Sequence, residues 1–326
     1  MKQGKVPESV LKRSILKLIK QNKGMVVEGP GIGGDSGVLD LPPHQLCTCT
    51  VNPVIGDIED IGSRAVHTAV NNLAASGADP VAVLPSIMIP LDVGEQQLKQ
   101  MIRDMQRACN DYSIAILGGH TENTAAVSKP IVTMTGIGIA PEHLYLAKYA
   151  RPGQDLVMTK YAAMEGTALI ARAKEEELLT HYSSDFISQA KEMIRGISVF
   201  REAKIAAEFG ISAMHDARKG GIYGALWELT SAAGIGMRIV LEKIPIRQET
   251  VEICEFYDLN PYRLFSGGSL LITADKGYEL AEVFKAAGVP ASVIGKTTKD
   301  QKKIIVREDE EGFLEPPKSD EIYKVL

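Results

Sequence analysis

Seven residues near the start of the chain, Gly29-Pro30-Gly31-Ile32-Gly33-Gly34-Asp35, admit neither helix nor strand. Glycine loses the most backbone entropy in regular structure, and proline has no N–H to donate to it. The stretch spells G-x-G-x-x-G, but a dinucleotide-binding turn of that pattern runs straight into a helix whose N-terminus holds the pyrophosphate. Here Asp35-Ser36-Gly37 follows, and then Val38–Leu41, which reads as a strand. The Rossmann reading therefore fails. What remains is a loop of exposed backbone N–H groups ending in a carboxylate. Successive amides cradle phosphates, and a carboxylate beside them suits Mg²⁺ carried by those phosphates. The alternative is a structural turn with a solvated Asp35.

Around this loop the chain alternates irregularly between helical and strand periodicity, which predicts an α/β or α+β protein. Helices are expected from Pro7 (Leu11, Ile15, Leu18 and Ile19 on one face), over 60–76, 95–111, 220–233 and 248–257, and repeatedly within 165–209. Strands are expected at 25–28, 45–50, 81–89, 113–117, 130–139, 155–159, 211–214, 236–241, 269–273, 293–295 and 303–306. The acidic run Glu308–Glu311 reads as a solvated loop. Ala150-Arg151-Pro152-Gly153 marks a boundary, giving domains 1–150 and 151–326.

Composition narrows the class. Hydrophobic residues make 45% and charged residues 24% of the chain, as in a globular protein with a packed core. The net charge of −5 leaves no electrostatic footprint for nucleic acid. No apolar run reaches the ~18 residues of a membrane span, and Met1 to Lys23 has no signal-peptide core, so the expected place is the cytoplasm. The four cysteines then read as free, buried thiols. Cys47 and Cys49 with His44 lack a second ligand pair at zinc-like spacing.

Three further segments carry polar groups where apolar ones would be ordinary. In His215-Asp216-Ala217-Arg218-Lys219-Gly220-Gly221 a carboxylate at a strand end precedes two cations and a glycine pair at a helix start. Asp216 can bind a metal there while Arg218 or Lys219 meets phosphate oxygens; alternatively, Asp216 caps the helix. Gly118-Gly119-His120-Thr121-Glu122 follows an apolar strand and allows close approach to the backbone, unless it is a plain turn. Asn71-Asn72 sits inside an apolar helix, where buried amides need a partner, internal or bound.

In this order the segments resemble the AIR synthase-like superfamily, over nearly the whole chain. Gly34-Asp35-Ser36-Gly37-Val38-Leu39 is similar to its G-D-D-A-A-V-L, and Val70-Asn71-Asn72-Leu73-Ala74 through Pro80 to its V-N-D-L-A-x-x-G-A-x-P. Gly118-Gly119-His120-Thr121 is similar to the G-G-H-T of its selenophosphate synthetase branch, and Asp216 through Ile222 to its D-x-x-x-G-G-L. The segment from Ala225 to Gly236, with Ile244-Pro245-Ile246-Arg247, resembles the HypE-like hydrogenase maturation branch most.

The resemblance implies two α/β domains, a homodimer whose N-terminal sheets join into a barrel, and ATP with Mg²⁺. It places metal on Asp35, Asn72 and Asp216. It places nucleotide on Gly33, Gly34, Asn71, Gly118, Gly119, His120, Thr121, Gly220 and Gly221, with Arg218 and Lys219 at the phosphates. Two departures stand out. Asn72 replaces the usual Asp, and Cys47-Thr48-Cys49-Thr50 replaces T-T-D without its acid, for which Asp57 is the nearest substitute. HypE works through a C-terminal cysteine, whereas this sequence ends Tyr323-Lys324-Val325-Leu326. The expected function is ATP- and Mg²⁺-dependent phosphoryl transfer to an oxygen of a small-molecule substrate or of a group borne by a maturation-complex protein. The alternatives are a metabolite kinase like thiamine-monophosphate kinase and a non-catalytic, nucleotide-binding regulatory paralogue.

Overall fold

The computed structural model describes residues 4–5, 8–20, 25–28, 38–140, 143–308 and 310–326. The chain forms two compact units, 1–74 with 78–144, and 75–77 with 145–326.

In the first unit the elements are β1 (Gly4–Lys5), α1 (Glu8–Leu11), β2 (Val26–Glu28), β3 (Val38–Leu39), β4 (Leu46–Ile55), α2 (Ile61–Ala75), β5 (Asp79–Ile89), α3 (Glu95–Asp111), β6 (Ala115–Ile116), β7 (His120–Asn123) and β8 (Ile131–Ala140). The main sheet runs β1-β7-β5-β8-β4 with β6 on β5, and β2 pairs with β3 separately. Alternation along β8 buries Val132 and Met134. The apolar stripes of α2 (Ile61, Ala65, Val66, Val70) and α3 (Leu98, Met101, Ile102, Met105) are buried too. Each such Val, Ile, Leu or Met is worth ~1.5–3 kcal/mol. The opposite faces of β4, β8 and β5 leave Val51, Ile55 and Met88 exposed beside the partly buried Thr133, Thr135 and Ile137. The helix expected from Pro7 is short: after Leu11 it widens to a π turn over Lys12–Leu16, whose Arg13 forks onto Glu95 of α3.

The second unit contains β9 (Asp155–Thr159), α4 (Met164–Ala173), α5 (Glu175–Leu178), α6 (Ser184–Glu192), α7 (Phe200–Phe209), β10 (Ala213–Ala217), α8 (Gly221–Ala233), β11 (Gly236–Val240), α9 (Gln248–Phe256), β12 (Ser269–Ala274), α10 (Gly277–Ala286), β13 (Ala291–Thr298), β14 (Lys303–Arg307) and β15 (Glu310–Phe313). Its sheet runs β10-β12-β9-β13-β11-β14-β15. Every residue of β9 and β12 is buried, so these strands are covered on both faces. The core gathers Ile222, Leu226 and Leu229 of α8 under Met237 and Ile239 of β11, with Trp227 partly buried against it.

Several sequence expectations are corrected. Cys47 and Cys49 are exposed; only Cys109 and Cys254 are buried. The exposed pair sits on β4, an edge strand, and its residues pair with Ile139 and Ile137 on the face whose described residues are exposed or only partly buried. Part of the acidic run belongs to a strand: Glu310 and Glu311 pair with Arg307 and Val306 at the sheet edge, where solvated charges are tolerated. Helix α10 was not anticipated. Its start carries no local cap; the Gly277 N–H donates instead to Asp155 Oδ2 of β9 at 3.0 Å, a partner remote in sequence.

Candidate nucleotide-phosphate and metal site

Strand β10 extends through His215 and Asp216 rather than ending before them, so Asp216 does not cap α8. Gly220 is the N-cap, and its N–H donates to Asp320 Oδ2 at 2.7 Å. The Gly221 N–H donates to Arg218 O at 3.2 Å. Both glycine amides are thus taken within the chain, and the pair serves to shape the turn. Both have positive φ, and a Cβ on Gly221 would lie 2.4 Å from Tyr262 O, a collision with backbone.

Asp216 is partly buried, and its Oδ1 is wholly buried with no hydrogen-bond partner. Burial pushes its carboxyl up to about 7, against the pull of Arg218, His215 and Lys160, while Glu165 adds to the rise. A buried carboxylate oxygen without a donor costs free energy unless something completes it. A divalent cation is the group that a bare carboxylate oxygen suits best. The residues present therefore fit a metal at Asp216.

Two ion pairs flank it. Lys160, just past β9 and at φ 53°, places Nζ 2.6 Å from Glu202 of α7, and also donates to the carbonyls of Gly196 (2.9 Å) and Ser198. Burial holds this ammonium below the usual lysine range although Glu202 opposes the shift. Arg218 forks onto Glu165 of α4, at 3.1 and 3.2 Å, with its guanidinium 5.1 Å from the centre of the Phe265 ring. Lys219 is exposed, and burial of its surroundings and Arg218 push it below the usual range. Lys160, Glu165 and Glu202 carry no motif by which the sequence singles them out. For Lys160 and Glu165 a lone charge in an apolar segment was the available signal, because buried charges are paired; Glu202, between Arg201 and Lys204, lacks even that.

The first unit holds the other candidates. Asn71 is buried and engaged within the chain. Asn72 is partly buried, and its Nδ2 donates to Thr50 Oγ1 at 3.0 Å, where Asn52 Nδ2 also donates at 3.1 Å. Its side-chain oxygen has no role in that bond. Asp57, the substitute acid, is exposed. Gly118 and Gly119 join β6 to β7. Gly119 has φ 143°, and a Cβ there would lie 2.4 Å from Pro85 O of β5. His120 and Thr121 lie in β7 itself, parallel to Ser86 and Ile87. His120 Nε2 lies 3.6 Å from Glu122, half exposed, while Thr121 is buried. Gly33, Gly34 and Asp35 lie outside the described residues. Among the described residues no three His, Cys, Asp or Glu side chains gather as a metal cluster.

The model for AIR synthase related protein, N-terminal domain, matches residues 33–140, and that for its C-terminal domain matches 151–308. The chain belongs to the AIR synthase related family. Among its relatives, carbamoyl dehydratase HypE of Azotobacter vinelandii is 27% identical over 285 residues, covering 84% of this chain and 81% of the relative. Thiamine-monophosphate kinase of Bacillus subtilis is 26% identical over 301 residues, covering 87% and 90%. The solved structure of the hydrogenase maturation protein HypE in complex with ATP superposes with a TM-score of 0.79 at 18% identity, covering 98% of this chain and 96% of that one. That likeness shows a common fold, the two-domain AIR synthase-like architecture with mixed sheets.

Proposed function

We propose that this family member is an ATP- and Mg²⁺-dependent enzyme transferring a phosphoryl group to an oxygen of a small substrate or of a partner-borne group, in a HypE-like maturation role. The observation that carries the reading is the buried, partnerless Oδ1 of Asp216, three residues before the exposed Lys219 in the chain. Asp35, Asn72 and Asp216 would hold Mg²⁺, which when bound neutralises phosphate charge. Lys219 meets phosphate oxygens; Arg218 is already held by Glu165. Gly33, Gly34, Gly118 and Gly119 give the nucleotide access to backbone, with His120 and Thr121 at its edge. A carbonyl or amide oxygen is a poor leaving group, and phosphorylation makes it a good one, so positioning and charge neutralisation are the chain's main tasks.

The exposed Val51, Ile55 and Met88 on one face of the first unit's sheet support a homodimer, with a second copy of this chain covering that face. Among the described residues no helix is long and apolar enough to cross a membrane, in keeping with a cytoplasmic enzyme. The kinase relative supports a second reading, a metabolite kinase. Asn72 in place of an acid, already engaged with Thr50, supports a third, a nucleotide-binding regulator.

Calorimetric titration with ATP, in Mg²⁺ and in EDTA, beside an ADP-release assay without substrate, tests the reading. Tight Mg²⁺-dependent binding with slow turnover is expected. Binding without metal dependence or turnover would make the protein a regulator, and no binding would leave only the fold. Asn72→Asp adds a charged ligand and is expected to strengthen Mg²⁺-dependent ATP binding by about tenfold. Unchanged binding would remove Asn72 from the ligand set.

A further inference from the structure

Arg218 follows Asp216 by two residues, one past the end of β10, and the two side chains lie close enough for each charge to act on the other. An arginine so placed is the natural partner of that carboxylate, and it is the charge acting most strongly on it. Yet Arg218 gives both arms of its fork to Glu165, and Asp216 Oδ1 is left without a donor.

The surroundings enforce this choice. Glu165 is 1% exposed, and a Cβ on Gly267 would lie 2.2 Å from its Oε2, so the missing side chain at 267 is what makes room for the carboxylate. The Phe265 ring lies against the guanidinium, and the Ser266 N–H donates to Arg218 O at 3.0 Å. The segment 265–267 thus seats both partners. Lys160, the other buried cation acting on Asp216, is held in the same way by Glu202. Two cations are each matched by an acid, and Asp216 is the carboxylate left over.

We propose that Glu165 is a positioning residue: by holding Arg218 it keeps Asp216 open to a cation. The inference rests on the reading of Asp216 as a metal ligand. Its chemistry is competition for one carboxylate between a fixed guanidinium and a divalent ion. Without Glu165, the fork turns to the nearest acid, and the ion must displace it.

The test measures ATP affinity in Mg²⁺ and in EDTA and takes the ratio, which cancels any direct contact of Arg218 with phosphate. Thermal unfolding of each variant checks that it is folded. In the native protein the ratio is well above one, and Asp216→Asn brings it towards one. Glu165→Gln lowers it by about 10- to 100-fold, the range for residues that orient a metal ligand. The double variant Glu165→Gln, Arg218→Gln removes the freed guanidinium and restores the ratio to within a few-fold of the native value. A double variant as impaired as Glu165→Gln, or a Glu165→Gln ratio equal to the native one, overturns the proposal while leaving Asp216 a ligand. A native ratio of one, or one unmoved by Asp216→Asn, overturns the underlying reading and the proposal with it.

Discussion

Replacing Glu202 with alanine is expected to destabilise the 145–326 unit by about 3–5 kcal/mol, the usual cost of removing one partner from a buried ion pair. Both side chains are largely sealed, at 13% exposure for Lys160 and 7% for Glu202. The variant leaves an ammonium facing the carbonyls of Gly196 and Ser198 without its counter-charge. Burial already holds Lys160 below the usual lysine range, and the loss of Glu202 lowers it further. The folded state then binds its proton less tightly than the unfolded state does. The deficit is therefore greatest at low pH and shrinks as pH rises towards the ordinary lysine range. Urea midpoints at pH 6 and pH 9 read both effects. A loss below about 1 kcal/mol would show that the pair is screened like a surface bridge. Exchanging both partners for apolar residues is expected to recover most of the loss, because the desolvation penalty of both charges disappears with them.

Asp216→Asn is expected to stabilise the metal-free protein at pH 8. The native carboxyl is pushed up to about 7 by burial, well above its ordinary value of 3.8. A raised carboxyl binds its proton more tightly in the folded state. Its contribution is therefore fully present below about pH 4 and is lost as pH climbs through about 7. A tenfold change in proton affinity is worth about 1.4 kcal/mol, so the gain on neutralising the position reaches at most ~4 kcal/mol, less what the partial exposure of Asp216 screens. Denaturation curves of both proteins in EDTA between pH 4 and pH 8 provide the check. The native protein should lose stability with rising pH relative to the variant. Parallel curves would mean that Asp216 is not strained by burial. The ordinary expectation for a residue of a binding site is the same trade, stability surrendered for readiness.

The fold was largely legible because its elements obey their periods. Ile61, Ala65, Val66, Ala69, Val70 and Leu73 repeat at helical spacing and are buried, and the strand expected at 155–159, apolar at Leu156, Val157 and Met158, is the fully buried β9. Failures came where structure depends on distant partners. Helix α10 starts on a carboxylate from β9, and Cys47 and Cys49 are exposed because β4 lies at an edge that no local pattern announces. The site divides in the same way. Asp216, Lys219 and the glycine turn were readable as a motif. The resemblance places nucleotide on Gly220 and Gly221, but their amides are taken by Asp320, a hundred residues on, and by Arg218. Glu165 and Glu202 belong to no motif at all. Their importance comes from burial, which only the folded chain defines.

The stitching of the second unit also bears on its synthesis. Among the described residues strand β9 finds its ladder partners in β12 and β13, and Asp320 holds the N–H groups of Gly220, Phe265 and Ile322. A ribosome delivering this chain from its N-terminus must therefore release more than a hundred residues after β9 before that strand has a neighbour. The turn that carries Gly220 has a wait of similar length, for Asp320. Until then an apolar strand stands with both edges bare, the state in which nascent chains stick to one another. Production of this protein should accordingly be limited by aggregation of nascent chains, and slower translation with chaperone cover should raise the soluble yield more than stabilising changes confined to the first unit.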